Sequence, residues 1–199
     1  MVRKNYIHDN FTYHPHGQIR ADDQAKDVTI TENIIYNFSG EGIKIKHPNY
    51  VTNNYVVDWI PSEKDTSWKI SMESYLGIAA DGPLKGTIVN KNIFYQSKGI
   101  TQPFIKLYRI DKYPLNAGAL DSNLYYANNV YHNCLDQVME LRKQGFDINS
   151  IVADPCFEGF ENKGFKLRSN SPASKLGIKQ IDFENIGLLK GKVKLKKTF

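Results

Sequence analysis

No stretch of this sequence approaches the ~20 consecutive apolar residues that a membrane-spanning helix requires. The opening Met1-Val2-Arg3-Lys4-Asn5-Tyr6 leads into no apolar run of the kind a signal peptide carries. Cysteine is scarce: Cys134 and Cys156 are the two in the chain, too few for a disulfide scaffold and without the CxxC spacing of a zinc or redox site. Excess charge is lacking too, once the C-terminus is set aside. The formal charge is +5 and the pI about 9.0, but Lys190, Lys192, Lys194, Lys196 and Lys197 fall in one short tail, and the rest is close to neutral. With no RNP motif or zinc-finger spacing beside it, the tail (189–199) reads as a solvated end. Neither nucleic acid nor a membrane is an expected partner.

What is present is ordinary globular composition, 41% hydrophobic and 24% charged over 199 residues, enough for one domain that buries roughly 70% of its unfolded surface. Within it a short phrase recurs, Asn-apolar-apolar-x-polar. Its copies are Asn5-Tyr6-Ile7-His8-Asp9, Asn33-Ile34-Ile35-Tyr36-Asn37, Asn54-Tyr55-Val56-Val57-Asp58 and Asn92-Ile93-Phe94-Tyr95-Gln96, with a looser Asn123-Leu124-Tyr125-Tyr126-Ala127. The intervals between the leading asparagines are 28, 21, 38 and 31 residues, one solenoid coil each with variable loops. A second phrase, glycine followed by an Ile-containing run, comes after each of the first four: Gly17 to Asp22, Gly42 to Lys46, Gly77 to Asp81 and Gly99-Ile100. Each coil thus holds at least two short strands separated by turn chemistry.

The pattern predicts an all-β fold, a right-handed parallel β-helix solenoid over 1–188, with 128–188 supplying one short helix and a C-terminal capping segment. Stacked coils sit ~4.8 Å apart, so equivalent residues form columns. Asparagines stacked at a bend pass amide hydrogen bonds from coil to coil, and asparagine tolerates the left-handed backbone that tight bends use. Ile7, Ile35, Val56 and Phe94 are the expected inward column, with neighbours facing out free to be polar. The asparagines are architectural on this reading. Leu135 to Gly145 carries apolar residues at Leu135, Val138, Met139 and Leu141, roughly helical spacing, and Gly145 suits a helix stop. The stretch from Ile60 to Ser74 lengthens the third coil, and such insertions often emerge on the binding face. Trp68 in it and Trp59 beside it offer aromatic faces for sugar rings, or cover for the core.

These residues resemble a known family. Asn5-Tyr6-Ile7-His8-Asp9, the Gly-Ile coils, Ser122 to Tyr126, Ser150 to Pro155, and Ser171 to Gly177 with Ile181-Asp182 behind them look like bacterial right-handed parallel β-helix proteins of the pectate-lyase-like superfamily. The likeness is to the C-terminal part of secreted carbohydrate-active enzymes of the glycoside hydrolase family 141 type, associated with fucosidase and xylanase activities on plant glycans. It implies a secreted or periplasmic full-length protein acting on a plant or algal polysaccharide. Such enzymes usually carry a signal peptide, an N-terminal cap and earlier coils, whereas this chain opens already in coil register, which leads to the expectation that either N-terminal coils lie outside it or something else covers that end.

Glycoside hydrolysis needs two carboxyl groups, one to protonate the leaving oxygen and one to activate water or attack. Aligning the Gly-Ile strands puts Arg20, Lys44 and Ala79 in one outward column and Asp22, Lys46 and Asp81 in the next. Asp22 and Asp81 are then two coils and roughly 9 to 10 Å apart, at the upper edge for an inverting pair, with Lys46 between them favouring the ionised state of the base. Arg20, Lys44, His47 and Trp68 are the candidate substrate-binding residues. The same charges as a solvated, mutually stabilising outer face are the plainer alternative. Arg20, Lys44 and Lys46 also fit a polysaccharide lyase, which needs a cation to neutralise a uronate carboxylate and a base to remove the adjacent proton. Asp22, Asp23 and Asp81 would then be the oxygen ligands for Ca²⁺; for a hydrolase no cofactor or metal is expected. His14-Pro15-His16 lacks a third ligand at zinc spacing, and His8-Asp9 ranks second as an acid/base pair. Three functions follow: a hydrolase, a uronate lyase, or a non-catalytic β-helix that binds glycans, each expected as a monomer.

Overall fold

The computed structural model describes residues 1–11, 17–61, 73–97, 102–128, 134–183 and 186. The described residues are mostly β, with parallel sheets and one α-helix among them. Its strands fall in rotation on three sheets. A first round runs β1 (Val2–Arg3), β2 (Tyr6–Asn10), β3 (Ile19–Ala21); a second β4 (Thr29–Thr31), β5 (Ile34–Phe38), β6 (Glu41–Ile45). The third is β7 (Tyr50–Thr52), β8 (Tyr55–Trp59), β9 (Ser74–Ala79) and the fourth β10 (Ile88–Asn90), β11 (Ile93–Gln96), β12 (Ile105–Tyr108), followed by β13 (Leu120–Asp121) and β14 (Leu124–Ala127). Sheet A has the order β1-β4-β7-β10-β13 and sheet C β12-β9-β6-β3; sheet B adds β15 (Ile151–Val152) beyond β14 and runs back to β2.

Parallel register turns the repeat into columns. Ile7, Ile35, Val56, Phe94, Tyr125 and Val152 pair strand to strand along sheet B, and all belong to or pack against one core with Val51 and Val89 of sheet A and Ile43, Leu76 and Ile105 of sheet C. Each fully buried aliphatic or aromatic side chain here contributes roughly 1.5–3 kcal/mol.

Every passage from sheet A to sheet B takes two residues, and the second is the ladder asparagine. Asn5, Asn33, Asn54 and Asn92 each donate from Nδ2 to Oδ1 of the next asparagine, at 2.8, 2.9, 3.0 and 3.1 Å, and Asn123 donates to Asp147 Oδ1 at 3.0 Å. The left-handed residue at each bend is the one before: Lys4, Glu32, Asn53, Lys91 and Ser122 all have φ between 54° and 57°. The asparagines thus pass amide hydrogen bonds from round to round as expected, but the left-handed backbone expected of them falls on the residue before each.

At the end of the ladder Asp147 is fully buried, its carboxylate accepting from Asn123 Nδ2, Ser150 Oγ and the Tyr125 hydroxyl while Arg142 Nε donates to its backbone oxygen. Burial pushes its carboxyl above the usual range, against the pull of those hydrogen bonds. Because the folded state holds the proton more tightly than the unfolded chain, the stabilisation belonging to the protonated form is present at low pH and is lost as pH rises through the raised value. Asp147→Asn should therefore leave stability at neutral pH equal or higher and flatten this part of the stability–pH curve, read by urea unfolding between pH 4 and 8.

Helix α1 (Cys134–Lys143) carries Asp136 in its first turn and Arg142 and Lys143 in its last, each favourable to the helix dipole. Its buried face is Cys134, Val138 and Leu141, packed on the main core with Phe146, while Leu135 and Met139 are exposed. It lies against β14 and β15 and so covers the last round.

The segment beyond was expected to close over the last coil as well. It lies instead along the outer face of sheet B. The hairpin β16 (Phe157–Glu158) and β17 (Lys166–Leu167), with Ala173, Ile178 and Ile181, forms a second core with the outward column Ile34, Tyr55, Ile93 and Leu124. The Tyr55 hydroxyl donates to Lys179 O at 3.0 Å, and Phe183 reaches the Tyr6 ring, centroids 4.9 Å apart. The physical reason is that adjacent residues of a strand face opposite ways: with two apolar residues per phrase, the outward one also needs cover, and the C-terminal segment supplies it. The basic tail lies outside the described residues.

Candidate functional site

The outer face of sheet C gathers most of the residues singled out from the sequence. Its register is Arg20, Lys44, Gly77, Lys106 across β3, β6, β9 and β12. Gly77, not Ala79, continues the Arg20–Lys44 column, two residues from the expected alignment. The two glycines used as anchors do different things. A Cβ at Gly42 would lie 2.5 Å from Tyr75 O and 2.6 Å from Val56 Cγ1, inside the core, whereas one at Gly77 would collide with Glu41 Oε1.

Asp81 consequently sits past the end of β9, in a turn whose backbone N–H donates to Lys46 O at 3.3 Å. Its carboxylate is 3.1 Å from Lys46 Nζ, and that of Asp22 is 2.6 Å from the same atom. The two carboxylates share one ammonium, so their nearest oxygens are under about 6 Å apart rather than 9 to 10 Å. The backbones remain two rounds apart; the side chains lean together on Lys46. Asp22 also pairs with Arg20, and Asp81 with Arg109 at 2.8 Å.

The electrostatics follow from the contacts. Burial opposes ionisation of Asp22, but hydrogen bonds from Lys46, Arg20 and the Asp23 backbone outweigh it and hold the carboxyl well below its ordinary range. Lys46 is held protonated, first by Asp22, against partial burial, then by Asp81 and Asp23. Asp22, Asp23 and Asp81 do converge, as a Ca²⁺ site would require, but on the Lys46 ammonium, 2.6, 3.1 and 3.1 Å away. A cation of this chain already fills their centre. No group of three His, Cys, Asp or Glu arranged to hold a metal ion occurs among the described residues.

The other candidates divide. The His47 ring lies against the turn that carries Asp81, 3.1 Å from where a Cβ at Gly82 would stand. Lys44 is 4% exposed and paired with Glu41 at 2.7 Å, so its ammonium faces the protein. Trp59 is buried in the core and offers no face to a sugar; Trp68, His14 and His16 lie outside the described residues. His8 Nδ1 is 2.8 Å from Asp9 Oδ2 and its ring stacks on Tyr6. Asp9 is drawn down to about 2 by hydrogen bonds from Asn37 and His8, with Lys163 adding to them. That pair lies on β2 of sheet B, apart from the sheet C strip.

Glu41, Lys106, Tyr108 and Arg109 were not singled out from the sequence. The fourth Gly-Ile phrase, Gly99-Ile100, lies outside the described residues, and the fourth strand of sheet C is Ile105–Tyr108, with no glycine at its head. Alternation in Ile105-Lys106-Leu107-Tyr108-Arg109 was the available signal.

No family model, curated protein or solved structure matches this chain. No helix among the described residues is long and apolar enough to cross a membrane.

Proposed function

We propose that this chain is a stretch of right-handed parallel β-helix of the pectate-lyase-like kind, which engages a polysaccharide along the outer face of sheet C as part of a secreted or periplasmic glycoside hydrolase. The supporting observation is the strip Arg20, Asp22, Lys46, Asp81 and Arg109, in which donors and acceptors from successive rounds are tied into one network. Four strands in register extend such a strip over about 14 Å, a track matched to an extended chain of polar rings. Within it, the two carboxylates, their nearest oxygens under about 6 Å apart, are closer than an inverting pair and compatible with a retaining one. Asp22, held ionised, suits the nucleophile, and Asp81, beside it on Lys46 and paired with Arg109, is the second carboxylate of the pair.

Elimination from a uronate fits less well, because Lys46, the cation at the centre, is held protonated and is a poor base. Asp22→Asn and Asp81→Asn should each lower cleavage of plant or algal polysaccharides by a factor of roughly 10² or more, while retention of the same glycan on an affinity gel changes little. Undiminished cleavage by both variants ends the hydrolase reading. An ultraviolet-absorbing unsaturated product would replace it with the lyase, and retention without turnover with a binding module.

A further inference from the structure

Beneath the same face lies a charge that the proposed chemistry does not use. Glu41, at the start of β6, is 0% exposed, and its carboxylate is 2.7 Å from the Lys44 ammonium, itself buried. The Tyr108 hydroxyl, two strands away, hydrogen-bonds to it as well. The space it occupies exists because position 77, on the intervening strand, has no side chain. In the column Arg20, Lys44, Gly77, Lys106, the gap at glycine is therefore filled from the side by a carboxylate, which sets an anion between two lysines.

We infer that Glu41 is a positioning residue of the sheet C face, which holds the Lys44 ammonium and the Tyr108 hydroxyl beneath the surface and steadies the charge of Lys106, with Gly77 as the residue that admits it. Stability alone does not account for the arrangement, since a buried ion pair of this type is often replaceable by apolar residues without loss. What an apolar replacement would not supply is a fixed direction for Lys44 and a nearby anion for Lys106. Burial lowers the proton affinity of Lys106, and Glu41 and Glu73 offset that in part. Burial raises the carboxyl of Glu41, and Lys44 and Tyr108 draw it back.

The test needs no substrate. Amine acylation followed by peptide mass mapping reads the exposure of each lysine, and NMR of the lysine side-chain nitrogens reads their titration. Glu41→Gln should raise Lys44 acylation by at least about tenfold and move the Lys106 midpoint to lower pH, because the anion favouring its ammonium is gone. Gly77→Ala should raise Lys44 acylation in the same way without any change of charge, by displacing the carboxylate. Should Glu41→Gln fold poorly, Gly77→Ala carries the test alone: it keeps every charge, and Lys44 acylation at the unchanged rate in that folded variant counts against the inference.

Folded variants with unchanged Lys44 acylation and an unchanged Lys106 midpoint overturn the inference. That Glu41 serves a polysaccharide-binding face rests on the function proposed above, and the two fail separately. Release of Lys44 with glycan retention unaltered upholds the positioning of the lysines and counts against this face as the glycan track. Release of Lys44 with retention weakened upholds both.

Discussion

Asn54→Ala lowers the unfolding free energy by at least about 3 kcal/mol, while the same change at Asn5 removes about 1 kcal/mol or less. The difference lies in what each side chain leaves behind. Asn54 is fully buried; its Nδ2 donates to Asn92 Oδ1, Ile30 O and Thr52 O, and its Oδ1 accepts from both the backbone N–H and Nδ2 of Asn33. Truncation strands several of these groups away from water, each at about 1–3 kcal/mol before relaxation, against a total domain stability of only about 5–15 kcal/mol. Asn5 stands at the first round, where its partners are part-buried or exposed and water can substitute. Urea unfolding of the alanine series at 5, 33, 54 and 92 should therefore show the smallest loss at Asn5. Equal losses at Asn5 and Asn54 would mean that the ladder does not carry the weight its geometry suggests.

Phe165→Ala is the second large effect, about 3–5 kcal/mol, and its character differs. Phe165 is 1% exposed, and its ring meets those of Tyr6, Tyr36, Phe157, Phe160 and Phe183. It is the centre of the contact between the C-terminal segment and sheet B. Removing it should loosen residues 157–183 before the rounds beneath unfold, visible as early chymotryptic cleavage in that segment and faster amide exchange there, with the core strands still protected. Loss of protection everywhere at once would show that the segment and the sheets fold as one unit.

How far the sequence reveals this molecule depends on which signal was followed. Ile35, Val56 and Phe94 stack as their place in the Asn-headed phrase requires, because the phrase is pinned by a two-residue bend of constant length. The outer column Ile34, Tyr55 and Ile93 was equally legible: two consecutive apolar residues in a strand imply that both faces are covered. The Gly-Ile phrase misled, because Gly42 and Gly77 look alike in sequence but answer to different neighbours, a core carbonyl in one case and a buried carboxylate in the other. A slip of two keeps the inward alternation intact, so the core pattern gives no warning of it. The convergence of Asp22 and Asp81 on Lys46 was beyond reach for another reason: column spacing fixes backbones, and long side chains choose their own meeting points.

The three corners of the fold are not equivalent in length. From sheet B to sheet C the connections run from two residues, between β5 and β6, to fourteen, between β8 and β9, and those from C to A vary as well; from A to B each is two. Within this chain the variation in length is thereby confined to two of three edges, and the third acts as a spine against which rounds of quite different size keep the same register. Relatives of this protein should diverge freely in the number of residues per round while preserving the bound edge of the book.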